Sequence, residues 1–312
     1  MSSEPDLSAR GRVASDLFAN VPRSAFDTPG RSRGLLDVIR WRYLLKLLVR
    51  TGVTTRYRNS VLGWTWSYVR PAMQFLVFWL VMGVFMRLGH DIPNYPVYLF
   101  SGIIGINFFS EAFGNATRSI VGNAPLVRKV YLPRQLFSVS AVIVALVHFL
   151  PQVGLLLVVC LFMGWIGSIT VWSVLAFLAG VVILAMVAFG AGLFFGAVNV
   201  RFRDAEPIVE LLLMLVTWAS PVLYFWTMVR DAFSALPWLT ELYLINPITV
   251  AVELFHLAFW EPVSRTGIAD LGLQLHPDLG WLTLWAFLIS LATILIGQLV
   301  FRRLEGRFAQ DL

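Results

Sequence analysis

The chain has 312 residues, 58% of them apolar and 13% charged, against roughly 45–50% and about 25% in soluble domains. So apolar a composition excludes an ordinary water-soluble core and points to a membrane. The net charge of +6 is carried almost wholly by arginine. In a soluble protein it would suggest nucleic acid, but here the arginines border apolar segments and read as topology signals, so no nucleic-acid partner is expected.

In chain order, residues 1–34 are polar and lack the apolar central region of a signal peptide. They are expected to form a cytoplasmic extension. The stretch WRYLLKLLVRTGVTTRYR begins at Trp41. Trp41, Leu44, Leu45 and Leu48 share one helical face, and Arg42, Lys46 and Arg50 stand on the other. This is the pattern of a helix lying in the cytoplasmic headgroup layer, with 35–70 leading into the first span.

A bilayer crossing takes about 20 mostly apolar residues. Six segments fit: 71–87, which can extend back through WTWSYV, then 97–117, 137–163, 171–198, 207–227 and 281–301. The fold class is therefore an all-α membrane protein with a six-span domain over 71–301 and a tail at 302–312. Pro207 suits a helix start, and Pro221 suits a break near the outer end of the fifth segment. Within 228–280, ITVAVELFHLAFW (Ile248–Trp260) is too short to span and contains Glu253 and His256. It is expected to be a re-entrant or interfacial helix on the outer side. Of the 24 lysines and arginines, all but Arg87, Arg230 and Arg265 fall on the side of the termini. By the positive-inside rule both termini are cytoplasmic.

No GxxxxGK[ST] run occurs, so the chain has no phosphate-binding loop of its own. The four histidines are scattered, the single Cys160 sits in apolar sequence, and no metal site is expected. Gly192 and Gly196 form a small-xxx-small pair suited to close helix packing. Glu111, His148 and Gln152 lie inside spans, where a carboxylate is costly and faces a cavity or a partner. Phe75, Phe78, Trp79, Phe108, Phe109, Phe113 and Trp218 lie too deep for an interfacial belt. They serve either as packing or as an aromatic pathway on which sugar rings stack. The basic loop NAPLVRKVYLPRQLF (123–137) is either a plain connector or a short helix that docks into a partner.

RYRNSVLGWTWSYVRP, NAPLVRKVYLPR, VRFRDAEPIVELLLMLVTWASPVLY, INPITVAVELF and FRRLEGRFAQDL, in that order, resemble the signature segments of ABC transporter permeases that export polysaccharides, the Wzm type. Within that family the chain looks like the mycobacterial galactan exporters. The resemblance implies a homodimer of six-span subunits, paired with two copies of an ATPase subunit that holds ATP and Mg. The cargo it implies is a glycan on a polyprenyl pyrophosphate carrier. On that basis Arg56 and Arg58 are expected at the lipid pyrophosphate. Trp64, Trp66, Phe75, Phe78, Trp79, Phe108, Phe109, Glu111 and Phe113 are expected along the glycan pathway. Leu126, Val127, Arg128, Lys129, Tyr131 and Arg134 are expected at the ATPase contact. The alternatives are a permease for teichoic acid or a drug, an integral-membrane transferase built around Asp204 and Glu206, and a secondary transporter using Glu111 and His148.

Overall fold

The computed structural model describes residues 38, 40–55, 63–129, 132–264 and 275–312. The extension at 1–34, the Arg56/Arg58 pair and Tyr131 lie outside the described residues, as does the side chain of Trp64. All regular structure among the described residues is helical. In hydrocarbon every backbone N–H and C=O needs a partner within the protein, and a helix supplies it within its own segment.

The chain opens with α1 (Arg42–Thr55) and α2 (Trp66–Phe85). Then come α3 (Tyr95–Arg118), the short α4 (Ala124–Lys129), α5 (Gln135–Phe162) and α6 (Val171–Arg201). α7 (Ala205–Trp218), α8 (Trp226–Ala232), α9 (Pro237–Ile245) and α10 (Pro247–Ser264) follow. α11 (Leu279–Leu304) and α12 (Phe308–Asp311) close the chain. Helices α2, α3, α5, α6 and α11 are long and apolar enough to cross a membrane, and the pair α9–α10, bent by 71°, is a sixth candidate if it counts as one span.

The relative directions of the helices follow from which side chains meet. α5 runs antiparallel to α3: Ser138 meets Ser119 at 3.2 Å, and His148 meets Glu111. α6 runs parallel to α3, with Gly105 beside Leu184 and Ala116 packed against Gly192 and Gly196. A side chain at Gly192 would collide with Ala116, so the small-xxx-small pair does bring two backbones together. α11 runs parallel to α6: Gly190 lies on the backbone of Thr293 and Ile294, and Phe301 clusters with Leu193, Ala197 and Val200. Two parallel neighbours require an odd number of crossings between them. The chain between Arg201 and Leu279 must therefore change ends.

Residues 207–227 were expected to form a single helical span. The structure corrects this: α7 ends at Trp218, after 14 residues, or roughly 21 Å. Pro221 disfavours helix at the residue before it and removes a donor. The rest of the path is a turn over 219–225, buried at 220–223 and at Phe225. Its free carbonyls are met from α3 and from within the turn. The Tyr95 hydroxyl donates to Leu223 O at 2.9 Å, the Tyr98 hydroxyl lies 2.9 Å from Pro221 O and 2.8 Å from Tyr224 O, and the Tyr224 hydroxyl donates to Trp218 O. α7 itself starts beside the opposite end of α3, where Glu210 faces Arg118. The segment 205–225 thus runs the length of α3. Irregular backbone is tolerated at such depth only where protein covers it, and Ser220, Val222, Leu223 and Phe225 are buried.

α10 starts on Pro247, with Asn246 Oδ1 accepting from Ile248 N–H at 3.1 Å. Residues Ile248–His256 are all buried, so α10 does not lie on a surface. Its far end is tied to the start of α3, with Trp260 Nε1 donating to Pro93 O and Asn94 Nδ2 to Val263 O. Along α1 the sides differ in exposure, although Trp41, read with the leucines, is exposed. Leu44, Leu45 and Leu48 are half-buried, while Arg42, Lys46 and Arg50 are exposed.

Candidate functional site

Four helices each turn one polar or amphipathic stripe to the same place. On α3, Asn107, Ser110, Glu111, Asn115 and Arg118 recur every three or four residues and so share a face. α2 contributes Trp66, Ser67, Arg70 and Gln74, spaced by the same rule. α5 adds His148 and Gln152, one turn apart, and α7 adds Leu213 and Thr217. Between them lies a cleft of about 660 Å³. It extends from the Arg118 end of α3 to the middle of that helix, at Ile106 and Asn107.

Arg118 marks one end of the cleft, and α2 contributes Arg70. Arg118 faces Glu210 at 3.8 Å, and both side chains are at least half exposed, so that pair is weak. Deeper in, Glu111 Oε1 lies 2.7 Å from Nδ1 of His148, whose ring is 1% exposed. The carboxylate accepts and the imidazole donates. Gln152 Nε2 donates to the His148 carbonyl at 3.3 Å. Asn199 Nδ2 bridges Glu206 Oε1 and Thr117 O, holding the start of α7 to the end of α3.

The residues singled out from the sequence part company here. Trp66, 49% exposed, and Glu111 line the cleft. Phe108, Phe109 and Phe113 are buried on the other side of α3, against Phe149 and Phe195. Phe75 packs edge-on to Phe100, and Phe78 and Trp79 are half-buried against the core. The cleft wall is polar where the sequence pointed to aromatics. Arg70, Gln74, Asn107, Ser110 and Asn115 were not singled out. Their signal was present all the same, as a polar stripe at helical spacing through an apolar span.

At the Arg118 end, α4 divides its side chains. Val127 is 6% exposed, in a cluster with Phe137, Val200, Phe301 and Phe308. Leu126, Arg128 and Lys129 are exposed. The Arg134 guanidinium stands 5.4 Å from the centre of the Phe308 ring.

A bundle of long apolar helices with a polar cleft in its flank fits a membrane transport protein, and comparison with known proteins gives the class. The sequence profile of the ABC-2 type transporter family matches residues 43–260. The chain is 32% identical over 227 residues to the O-antigen export system permease protein RfbA of Myxococcus xanthus, covering 72% of this chain and 83% of that protein. It is 27% identical over 270 residues to RfbA of Klebsiella pneumoniae, with 86% and 95% covered. Against the polysialic acid transport protein KpsM of Escherichia coli it is 22% identical over 261 residues, with 81% and 90% covered. The chain belongs to the ABC-2 type transporter family. As a permease subunit it is a transport component and not an enzyme.

Proposed function

We propose that this chain is the membrane subunit of an exporter that moves a polysaccharide, carried on polyprenyl pyrophosphate, out of the cytoplasm across the plasma membrane. The observation that carries this reading is the polar cleft between α2, α3, α5 and α7. Ionisable groups facing lipid are costly. A second copy laid over the cleft would remove them from lipid and join two clefts into one path. Exposed apolar residues beside it supply a seam: Met73, Leu76 and Val77 on α2, and Leu211, Met214 and Leu215 on α7. The relatives named for O-antigen and polysialic acid support a polysaccharide cargo. The resemblance to galactan exporters narrows it to a galactan-type chain.

In this reading the termini, with the extension at 1–34 and the tail at 302–312, are cytoplasmic, and α1 lies in the headgroup layer. The pair α9–α10 is re-entrant from the outer side, supported by the bonds of Trp260 and Asn94 between α10 and the start of α3. Two ATPase subunits bind ATP and Mg and dock on α4, through Leu126, Arg128 and Lys129, with Arg134 and Tyr131 alongside. Arg56 and Arg58 hold the pyrophosphate of the carrier, since arginine matches such oxygens bidentately.

The test is purification with the candidate ATPase into nanodiscs. The reading expects a complex of two permeases and two ATPases whose hydrolysis rises on addition of a polyprenyl-pyrophosphate glycan and not of the bare carrier. A monomeric permease, or hydrolysis indifferent to the glycan, would overturn it.

A further inference from the structure

We propose that Phe308 is a positioning residue for the ATPase contact: from the tail it holds α4 against the ends of α6 and α11, so that movement of a docked ATPase reaches the spans. This rests on the export reading, which places the ATPase on α4. The tail is an amphipathic continuation of α11. Leu304, Phe308 and Leu312 recur every four residues and turn inward, while Arg302, Arg303 and Asp311 are exposed. Phe308 is 1% exposed and meets Phe301 edge-on, with ring centres 5.4 Å apart and planes at 86°. Its cluster gathers Val127 of α4, Phe137 of α5, Leu193, Ala197 and Val200 of α6, and Phe301 of α11.

α4 needs such a hold. It has six residues, against the roughly 12–15 that let an isolated helix persist in water. Val127 is its one buried side chain, while Leu126, Arg128 and Lys129 face out. α12 packs against both α4 and α6, so one short helix ties the two together. Arg134, where the chain turns into α5, stands 5.4 Å from the centre of the Phe308 ring. That contact brings the far side of the same connection onto the ring. Close-packed side chains of low compressibility pass a displacement on, whereas a cavity in place of the Phe308 ring would absorb it.

The permease in nanodiscs with an excess of the ATPase subunit tests this. Two readouts are taken: the ratio of hydrolysis with and without a polyprenyl-pyrophosphate oligogalactan, and amide exchange across 121–129 followed by mass spectrometry. Phe308→Ala should lower that ratio several-fold and speed exchange across 121–129 several-fold. Exchange over 171–190 of α6 should be unchanged, and the ATPase should still bind. Phe308→Leu refills the apolar space and should restore most of both readouts. Where Phe308→Ala does not fold, Leu312→Ala, which trims the half-buried end of the same face, should move both in the same direction. A Phe308 that only adds stability would lower the melting temperature and leave the ratio of the folded complex intact. That result would overturn the proposal, as would unchanged exchange across 121–129. If the unaltered complex shows no stimulation by the glycan, the export reading falls and the proposal with it. If it shows a stimulation that Phe308→Ala leaves untouched, only the proposal falls.

Discussion

The contact between α6 and α11 gives a direct measure of how tightly the bundle is built. Gly190 and Gly297 face each other backbone to backbone. A Cβ on Gly190 would come within 2.6 Å of Thr293 C and Ile294 N, and one on Gly297 would collide with the Gly190 carbonyl oxygen. Neither obstacle is a flexible side chain, so Gly297→Ala must part the helices by roughly 1 Å, an overpacking that costs about 1–3 kcal/mol. Alanine returns up to about 1 kcal/mol of helix propensity. With that return in full the net loss is up to about 2 kcal/mol, or up to several degrees in melting temperature at roughly 2–4 °C per kcal/mol. Gly154→Ala on α5 is the control, since its new methyl group meets nothing within 4 Å. It should be neutral or slightly stabilising. Melting of the purified protein in one detergent, followed by tryptophan fluorescence, compares the two. A Gly297→Ala protein as stable as Gly154→Ala would refute the packing argument. The double variant with Gly190→Ala should lose less than the sum of the singles, because both changes strike the same contact.

Tyr98→Phe removes the hydroxyl that meets the Pro221 and Tyr224 carbonyls. It should cost about 1–3 kcal/mol and speed amide exchange across 219–226, which mass spectrometry would read. Leu126→Asp, on the exposed side of α4, should leave melting unchanged and lower glycan-stimulated ATP hydrolysis several-fold. Val127→Asp, by contrast, buries a charge in the Phe137–Phe301–Phe308 cluster and should fail to fold. With Cys160→Ser as background, a cysteine at Ser234 should react with an impermeant reagent on intact cells; labelling only after lysis would reverse the orientation.

The sequence by itself determined the helical class and the place of five long spans. Lipid makes these legible, because it forces each crossing to satisfy its backbone within one long apolar helix. The tight approach at Gly192 and Gly196 was readable for a similar reason: only small residues let two backbones meet. The end of α7 at Trp218 was decided by tertiary structure, since the hydroxyls of Tyr95 and Tyr98, more than a hundred residues earlier in the chain, satisfy the carbonyls that a helix would otherwise pair. The roles of the aromatics were decided there too. Lipid, protein core and pathway all accept a phenylalanine, so sequence alone could not separate Phe108, Phe109 and Phe113, which pack inside, from Trp66, which lines the cleft. The cleft is a property of the assembled bundle. Each stripe alone is a few polar residues in an apolar helix, and only when four helices turn those stripes to one point do they enclose a polar space.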